Sequence, residues 1–265
     1  MMDLHNKIVW ITGASSGIGK ALAQAYAKRG ATVVLSARRK VQLEAVKAEL
    51  TNASQHIVVP MDVTDEKQVN TAIAQVMSQC KRIDVLINNA GLSQRALIAE
   101  TSMDTERRIM EVDYFSQVYL TKQVLPHLIA QKSAQIAFVS SIAGLLGTQY
   151  RASYSAAKAA IHMWANSLRA EVAKDGIDVA VIFPGFVKTD VSINALNGKG
   201  EAQGFDNEAT ANGLEVDDFA EQVIDALTKQ QEYIVVGGFK EKLGVAVSRV
   251  SPKILYKMIR RMKVK

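Results

Sequence analysis

Seven short β-branched runs alternate along the chain with longer amphipathic segments, and this alternation constrains the fold more than any other feature of the 265 residues. The strand candidates are "KIVWIT" at 7–12, "ATVVLSA" at 31–37, "HIVVPM" at 56–61, "IDVLIN" at 83–88, "QIAFVS" at 135–140, "DVAVIF" at 178–183 and "EYIVVG" at 232–237. Helix candidates lie near 17–29, 39–50, 65–80, 104–131, 154–174 and 216–229. Strands separated by helices return in the same direction, so they build a parallel sheet covered on both faces. The expected architecture is a single α/β domain, a three-layer α/β/α stack around a doubly wound, seven-stranded parallel sheet.

Two segments break the rhythm. Residues 188–213 are rich in Asn, Gly and small polar residues and follow the sixth strand. A long polar loop at the C-terminal end of a strand lies where open α/β sheets bind ligands, so this stretch is expected to form a substrate lid. The second is the tail at 239–265, expected to stand apart from a main domain at 1–238. It holds nine of the 32 Lys and Arg with a single acid, Glu241, while the remainder of the chain is close to neutral. With no basic stripe across the main body, nucleic-acid binding is not expected.

In "SPKILYKMIRRMKVK", Ile254, Leu255, Met258, Ile259 and Met262 fall on one helical face, with Lys253, Lys257, Arg260 and Arg261 largely opposite. Such a helix either docks its apolar stripe on protein or lies on an anionic membrane surface as a peripheral contact. No segment reaches the roughly 20 apolar residues of a membrane span, and the first residues lack a signal-peptide core, so a cytoplasmic location is the expectation. A single cysteine, Cys80, forms no internal disulfide framework, and four scattered histidines offer no ligand spacing, so no metal is expected.

Chemistry enters with "TGASSGIGKALAQ", where a strand runs into a helix. Gly13, Gly17 and Gly19 allow a tight turn, close approach of a pyrophosphate and helix–sheet packing. The helix start, with Ser15, Ser16 and Ile18, offers N–H donors to phosphates. The second strand ends in "LSARRK", with Arg38 and Arg39 where NAD sites usually carry an acid. A guanidinium fork suits a 2′-phosphate, which points to NADP(H) as cofactor. In "SYSAAKAA", Tyr154 and Lys158 are four apart, on one face of a helix. Spacing alone supports only a weak surface pair, but an ammonium beside a phenol also stabilises the phenolate, as a general acid/base requires.

These stretches, with "NNAG" at 88–91, "VSS" at 139–141 and "PGFVKT" at 184–189, resemble the classical short-chain dehydrogenases/reductases in order and spacing over residues 7 to about 237. The resemblance implies a Rossmann fold. It implies Tyr154 as general acid/base, Ser141 as the hydrogen-bond partner of the substrate oxygen, and Lys158 as holder of the nicotinamide ribose and tuner of the tyrosine. Asp62 and Val63 would lie at the adenine, Asn89, Ala90 and Gly91 beside the cofactor, Pro184, Gly185 and Val187 around the nicotinamide, and Thr189 at the carboxamide or phosphates. One position departs from the pattern. Asp113 stands where the family usually has an asparagine whose backbone carbonyl holds a water linked to the lysine, so an altered proton relay is expected.

The implied activity is NADP-dependent interconversion of a carbonyl and a secondary alcohol on a small-molecule substrate, in a homodimer or homotetramer. Two alternatives stay open: a 3-oxoacyl reductase of fatty acid synthesis, and a non-catalytic NADP-binding regulator or scaffold. Substrate choice is expected to fall to Ser93, Gln94, the stretch from Leu145 to Arg151, and the lid.

Overall fold

The computed structural model describes residues 2–205 and 208–260. Seven parallel strands form one sheet: β1 (Ile8–Thr12), β2 (Thr32–Ser36), β3 (Ile57–Val58), β4 (Val85–Asn88), β5 (Ala134–Val139), β6 (Ile177–Pro184) and β7 (Tyr233–Val236), in the order β3-β2-β1-β4-β5-β6-β7. The helices are α1 (Gly17–Lys28), α2 (Lys40–Glu49), α3 (Glu66–Cys80), α4 (Met103–Met110), α5 (Ser116–Gln131), α6 (Ala152–Val172), α7 (Glu208–Ala211), α8 (Val216–Thr228), α9 (Phe239–Val250) and α10 (Pro252–Ile259). The strand order reverses between β1 and β4, opening a crevice at the strands' C-terminal ends where doubly wound sheets hold ligands.

The two-residue period of each strand sorts its side chains between two apolar layers. Val9 and Ile11 of β1 join Ala137 and Val139 of β5 in one layer, with α1 and α8. Trp10 faces the other way, into a layer with Ile136, Phe138, Val124 of α5 and Ile161 of α6. Every strand expected from the sequence is present. The third is shorter than expected, with only Ile57 and Val58 in the ladder to β2. The Val59 and Met61 N–H groups still donate to the Leu35 and Ala37 carbonyls at 3.0 and 3.1 Å, so that Pro60 falls where no donor to β2 is needed.

The predicted helix at 104–131 is present but interrupted. Glu111–Phe115 form one π-helical turn between α4 and α5. The tail also differs from the expectation of one uniform stripe. Val245 of α9 and Leu255 of α10 are buried in the sheet's second layer, and Ile259 packs against it, whereas Ile254 is exposed. The expectations for the Met258 side chain and for Arg261 and Met262 fall outside the described residues.

The junction of β2 with the turn before β3 is fixed by a neutral imidazole. The Val33 N–H donates to His56 Nδ1 at 3.1 Å, and His56 Nε2 lies 2.8 Å from the Thr51 carbonyl, so the proton belongs on Nε2. Burial, the largest cause, holds this histidine below its ordinary value of 6.5. A base depressed in the folded state binds fewer protons than in the unfolded chain. Its stabilising contribution is therefore complete above the ordinary value of 6.5 and is lost as pH falls below it toward the folded-state value. Urea unfolding midpoints are expected to drop on acidification through this window, and His56→Gln is expected to flatten part of that slope.

Candidate functional site

A cleft of about 1210 Å³ opens at the reversal of strand order. Its floor begins where β1 turns into α1. Gly13 has φ +66° and backs onto Ala90, where an added Cβ would lie 2.9 Å from the Ala90 Cα. Gly19 packs against the same turn, and a Cβ there would lie 2.3 Å from the Gly13 carbonyl oxygen. Ser16, the N-cap of α1, makes no side-chain capping bond. The first N–H groups of the helix are thus left for an anion, with the helix dipole aligned to favour it. This cradle fits a nucleotide pyrophosphate.

Thr12 ties the two central strands together below the cradle. Its Oγ1 accepts the N–H groups of Asn89 and Ala90, both at 3.0 Å, while Asn89 Nδ2 donates back to the Thr12 carbonyl at 2.9 Å. Asn88 Nδ2 donates to Thr121 Oγ1 of α5 at 3.0 Å, and Gln117 Nε2 to the Ala90 carbonyl at 3.3 Å. "NNAG" is therefore bolted on both sides, to β1 and to α5.

The opposite wall is built by β5 and α6. Ser140 Oγ donates to the Lys158 carbonyl at 2.8 Å, docking the strand end onto the helix. Ser141 Oγ accepts the Ala143 N–H at 3.1 Å, leaving its own hydrogen free to donate. Tyr154 lines the cleft one turn before Lys158, whose Nζ lies 5.7 Å from the tyrosine ring centroid. Lys158 is 3% exposed, and its ammonium donates to the Val139 carbonyl at 3.0 Å.

Asp113 completes this group from behind. Fully buried, it brings Oδ2 to 3.4 Å from Lys158 Nζ, an ion pair without hydrogen-bond geometry, while Oδ1 accepts the Leu92 N–H at 2.7 Å. Burial, the dominant cause, pushes its carboxyl above the usual carboxylate range, and the Lys158 charge and the Leu92 N–H oppose that shift. The pair occupies space that Gly91 leaves open, since a Cβ there would lie 3.1 Å from Lys158 Nζ and 3.3 Å from Asp113 Oδ1.

Ser15, Ser16, Gly17 and Ile18 line the cleft with Arg38, Arg39, Asp62 and Val63 at its adenosine end, and Pro184, Gly185, Val187 and Thr189 close the other side. Of the expected cofactor residues, Gly19 contributes packing instead of lining. Two expectations about substrate choice need correction. Gln94 is buried and turned away, its Nε2 donating to the Ala96 carbonyl and Thr101 Oγ1, both at 3.2 Å. Within the stretch from Leu145 to Arg151, Arg151 reaches the cleft, whereas Leu146 is a core residue.

Two contributors were not singled out in the sequence, although Phe186 sits within "PGFVKT". Phe186 lines the cleft, and Glu241 of α9 accepts the Phe186 N–H at 3.5 Å, so the tail buttresses the turn after β6. The described part of the 188–213 stretch, at 188–205 and 208–213, is pinned over the opening. Leu196 is buried, its N–H donates to the Ser93 carbonyl, and its carbonyl accepts from the Arg95 N–H, both at 2.8 Å.

A family model described as short chain dehydrogenase matches residues 7–199. The chain belongs to this family. Its members are oxidoreductases that use a nicotinamide cofactor. A Drosophila melanogaster relative, "Dehydrogenase/reductase SDR family protein 7-like", is 36% identical over 99% of this chain and 82% of its own length. A short-chain dehydrogenase from Burkholderia cenocepacia, solved in complex with NADP, superposes with a TM-score of 0.81 at 25% identity, covering 97% of this chain and 99% of that one. A short-chain dehydrogenase/reductase from Burkholderia phymatum, solved in complex with NAD, shares the fold with a TM-score of 0.85 at 23% identity, covering 96% of each chain.

The 2.3 Å approach at Gly19 makes a sharp test of the cradle. Gly19→Ala is expected to push α1 away from the turn and weaken nicotinamide nucleotide binding by at least about tenfold, since the clash is with backbone that cannot swing aside. Fluorescence titration with the reduced cofactor reads the loss.

Proposed function

We propose that the chain is an NADP-dependent oxidoreductase that interconverts a carbonyl and a secondary alcohol, working chiefly as a reductase. The observation that carries this reading is the convergence of Ser141, Tyr154 and Lys158 on one wall of a cleft whose floor is an anion-ready helix start. When bound, the nicotinamide supplies the hydride. The remaining work falls to side chains of this protein. Ser141 donates its free hydroxyl hydrogen to the substrate oxygen, and Tyr154 gives that oxygen its phenolic proton as negative charge develops there. The Lys158 ammonium stabilises the phenolate left behind. Tyr154→Phe is expected to cut kcat by at least about a hundredfold, the usual scale for loss of a general acid, while retaining cofactor binding.

Choice of NADP is supported by Arg38 and Arg39, which are exposed at the end of β2 and take part in no ion pair among the described residues. Replacing both with Ala is expected to raise KM for NADPH about 10- to 100-fold, the scale of charge-assisted hydrogen bonds, with little change for NADH. Equal losses with both cofactors would remove the arginines from phosphate recognition.

Asp113 is proposed to modify the relay through its ion pair with Lys158. A carboxylate beside the ammonium offsets part of the positive field that favours phenolate, so Asp113→Asn is expected to displace the pH profile of kcat/KM toward lower pH. An unchanged profile removes any special role for the carboxylate. A homo-oligomer with closed symmetry is also proposed, supported by exposed Met103, Phe115, Ile129 and Met163 along α4 to α6.

A further inference from the structure

Arg151 stands at the start of α6, three residues before Tyr154, on the wall of the cleft. Tyr150 before it has φ +65°, in the left-handed region, and its carbonyl is held by the Ala96 N–H at 3.1 Å. The guanidinium carbon lies 5.3 Å from the centroid of the Phe186 ring, a cation–π contact that holds the fork at that ring. Its Nε is buried with no hydrogen-bond partner. No carboxylate pairs with it among the described residues, although Glu111 and Asp190 line the same cleft. Burial alone pushes its pKa down, with the nearby Tyr154 as the opposing influence. A partly buried cation without a counter-charge is costly, and a planar fork of donors is matched by an oxyanion.

We propose that the carbonyl substrate carries an anionic group, a carboxylate or a phosphate, and that Arg151 binds it as the specificity-determining residue. This rests on the reading of the cleft as a carbonyl-reducing site. Ser141 and Tyr154 take the carbonyl end, and the Arg151 fork over the Phe186 ring takes the charged end. Because Arg151 lies beside Tyr154 and not at the glycine turn, its charge serves the substrate and not the cofactor's phosphates.

The test measures equilibrium binding to the full chain carrying Tyr154→Phe and loaded with NADPH, so that no turnover is needed. The probes are 4-carboxybenzaldehyde, 4-formylphenyl phosphate and the neutral methyl 4-formylbenzoate. At least one anionic probe is expected to bind about tenfold or more tighter than the ester, the scale of a charge-assisted hydrogen bond. Arg151→Gln is expected to bring that ratio close to one, and Arg151→Lys, which keeps the charge but not the fork, to an intermediate value. NADPH affinity in both variants serves as the measure of an intact fold. The proposal is overturned if neither anionic probe out-binds the ester, if the preference survives Arg151→Gln, or if that variant weakens NADPH by the same factor. Anion binding by the loaded protein with no reduction of any probe by the Tyr154 enzyme would instead count against the carbonyl-reductase reading alone.

Discussion

A lysine ammonium held almost wholly out of water, between the Val139 carbonyl and the Asp113 carboxylate, is the interaction on which the rest of the site depends. A charge in such a place is tolerated only when every neighbour is arranged around it. β5 must end with its carbonyl aimed at α6, the loop after β4 must bring a residue without a side chain, and the helix after α4 must turn an acid inward. Ser140, Gly91 and the π-helical turn meet those three demands. The same arrangement brings Ser141 and Tyr154 onto one wall, so the machinery for proton transfer follows from accommodating one buried cation.

Much of this was legible in the chain because its signals are local. Strand and helix alternation follows from short-range periodicity, and the glycine turn, the Tyr154–Lys158 spacing and the missing acid after β2 can each be read within a few residues. Contacts between distant segments carried no such mark. Nothing near Gln94 reveals that its amide is consumed by Ala96 and Thr101, and nothing in the tail announces that Glu241 meets the backbone after β6. Arg151 stood among several candidate substrate residues, and its place on the cleft wall, its unpartnered buried Nε and its contact with Phe186 separate it from its neighbours. The split stripe of the tail was hidden for a related reason. Helical phase shows which residues share a face, but the direction of that face is set by the angle at which α10 leaves α9.

The cleft is asymmetric in its construction. The nucleotide side is built mainly from backbone, with helix N–H groups and a turn bolted by Thr12 and Asn89, whereas the substrate side is built from side chains and from the segment pinned through Leu196. Backbone constellations tolerate little sequence change, while side-chain walls can be exchanged without disturbing the sheet. Such a division lets one scaffold keep its cofactor chemistry while the substrate changes.

The π-helical turn at Glu111–Phe115 also sets the length of this part of the chain. One extra residue in a turn rotates everything after it by roughly 100° relative to a regular helix. Thr105 and Ile109 of α4 therefore address the cleft cover, with Ile109 packed near Leu196, while Leu120, Val124 and Leu128 of α5 address the sheet. Forcing this turn into regular α-helix with all its residues kept would swing one of the two faces out of phase with its partner. The helix thus works as a keyed shaft, in which the extra residue and the wide turn that absorbs it hold the two faces in phase only together.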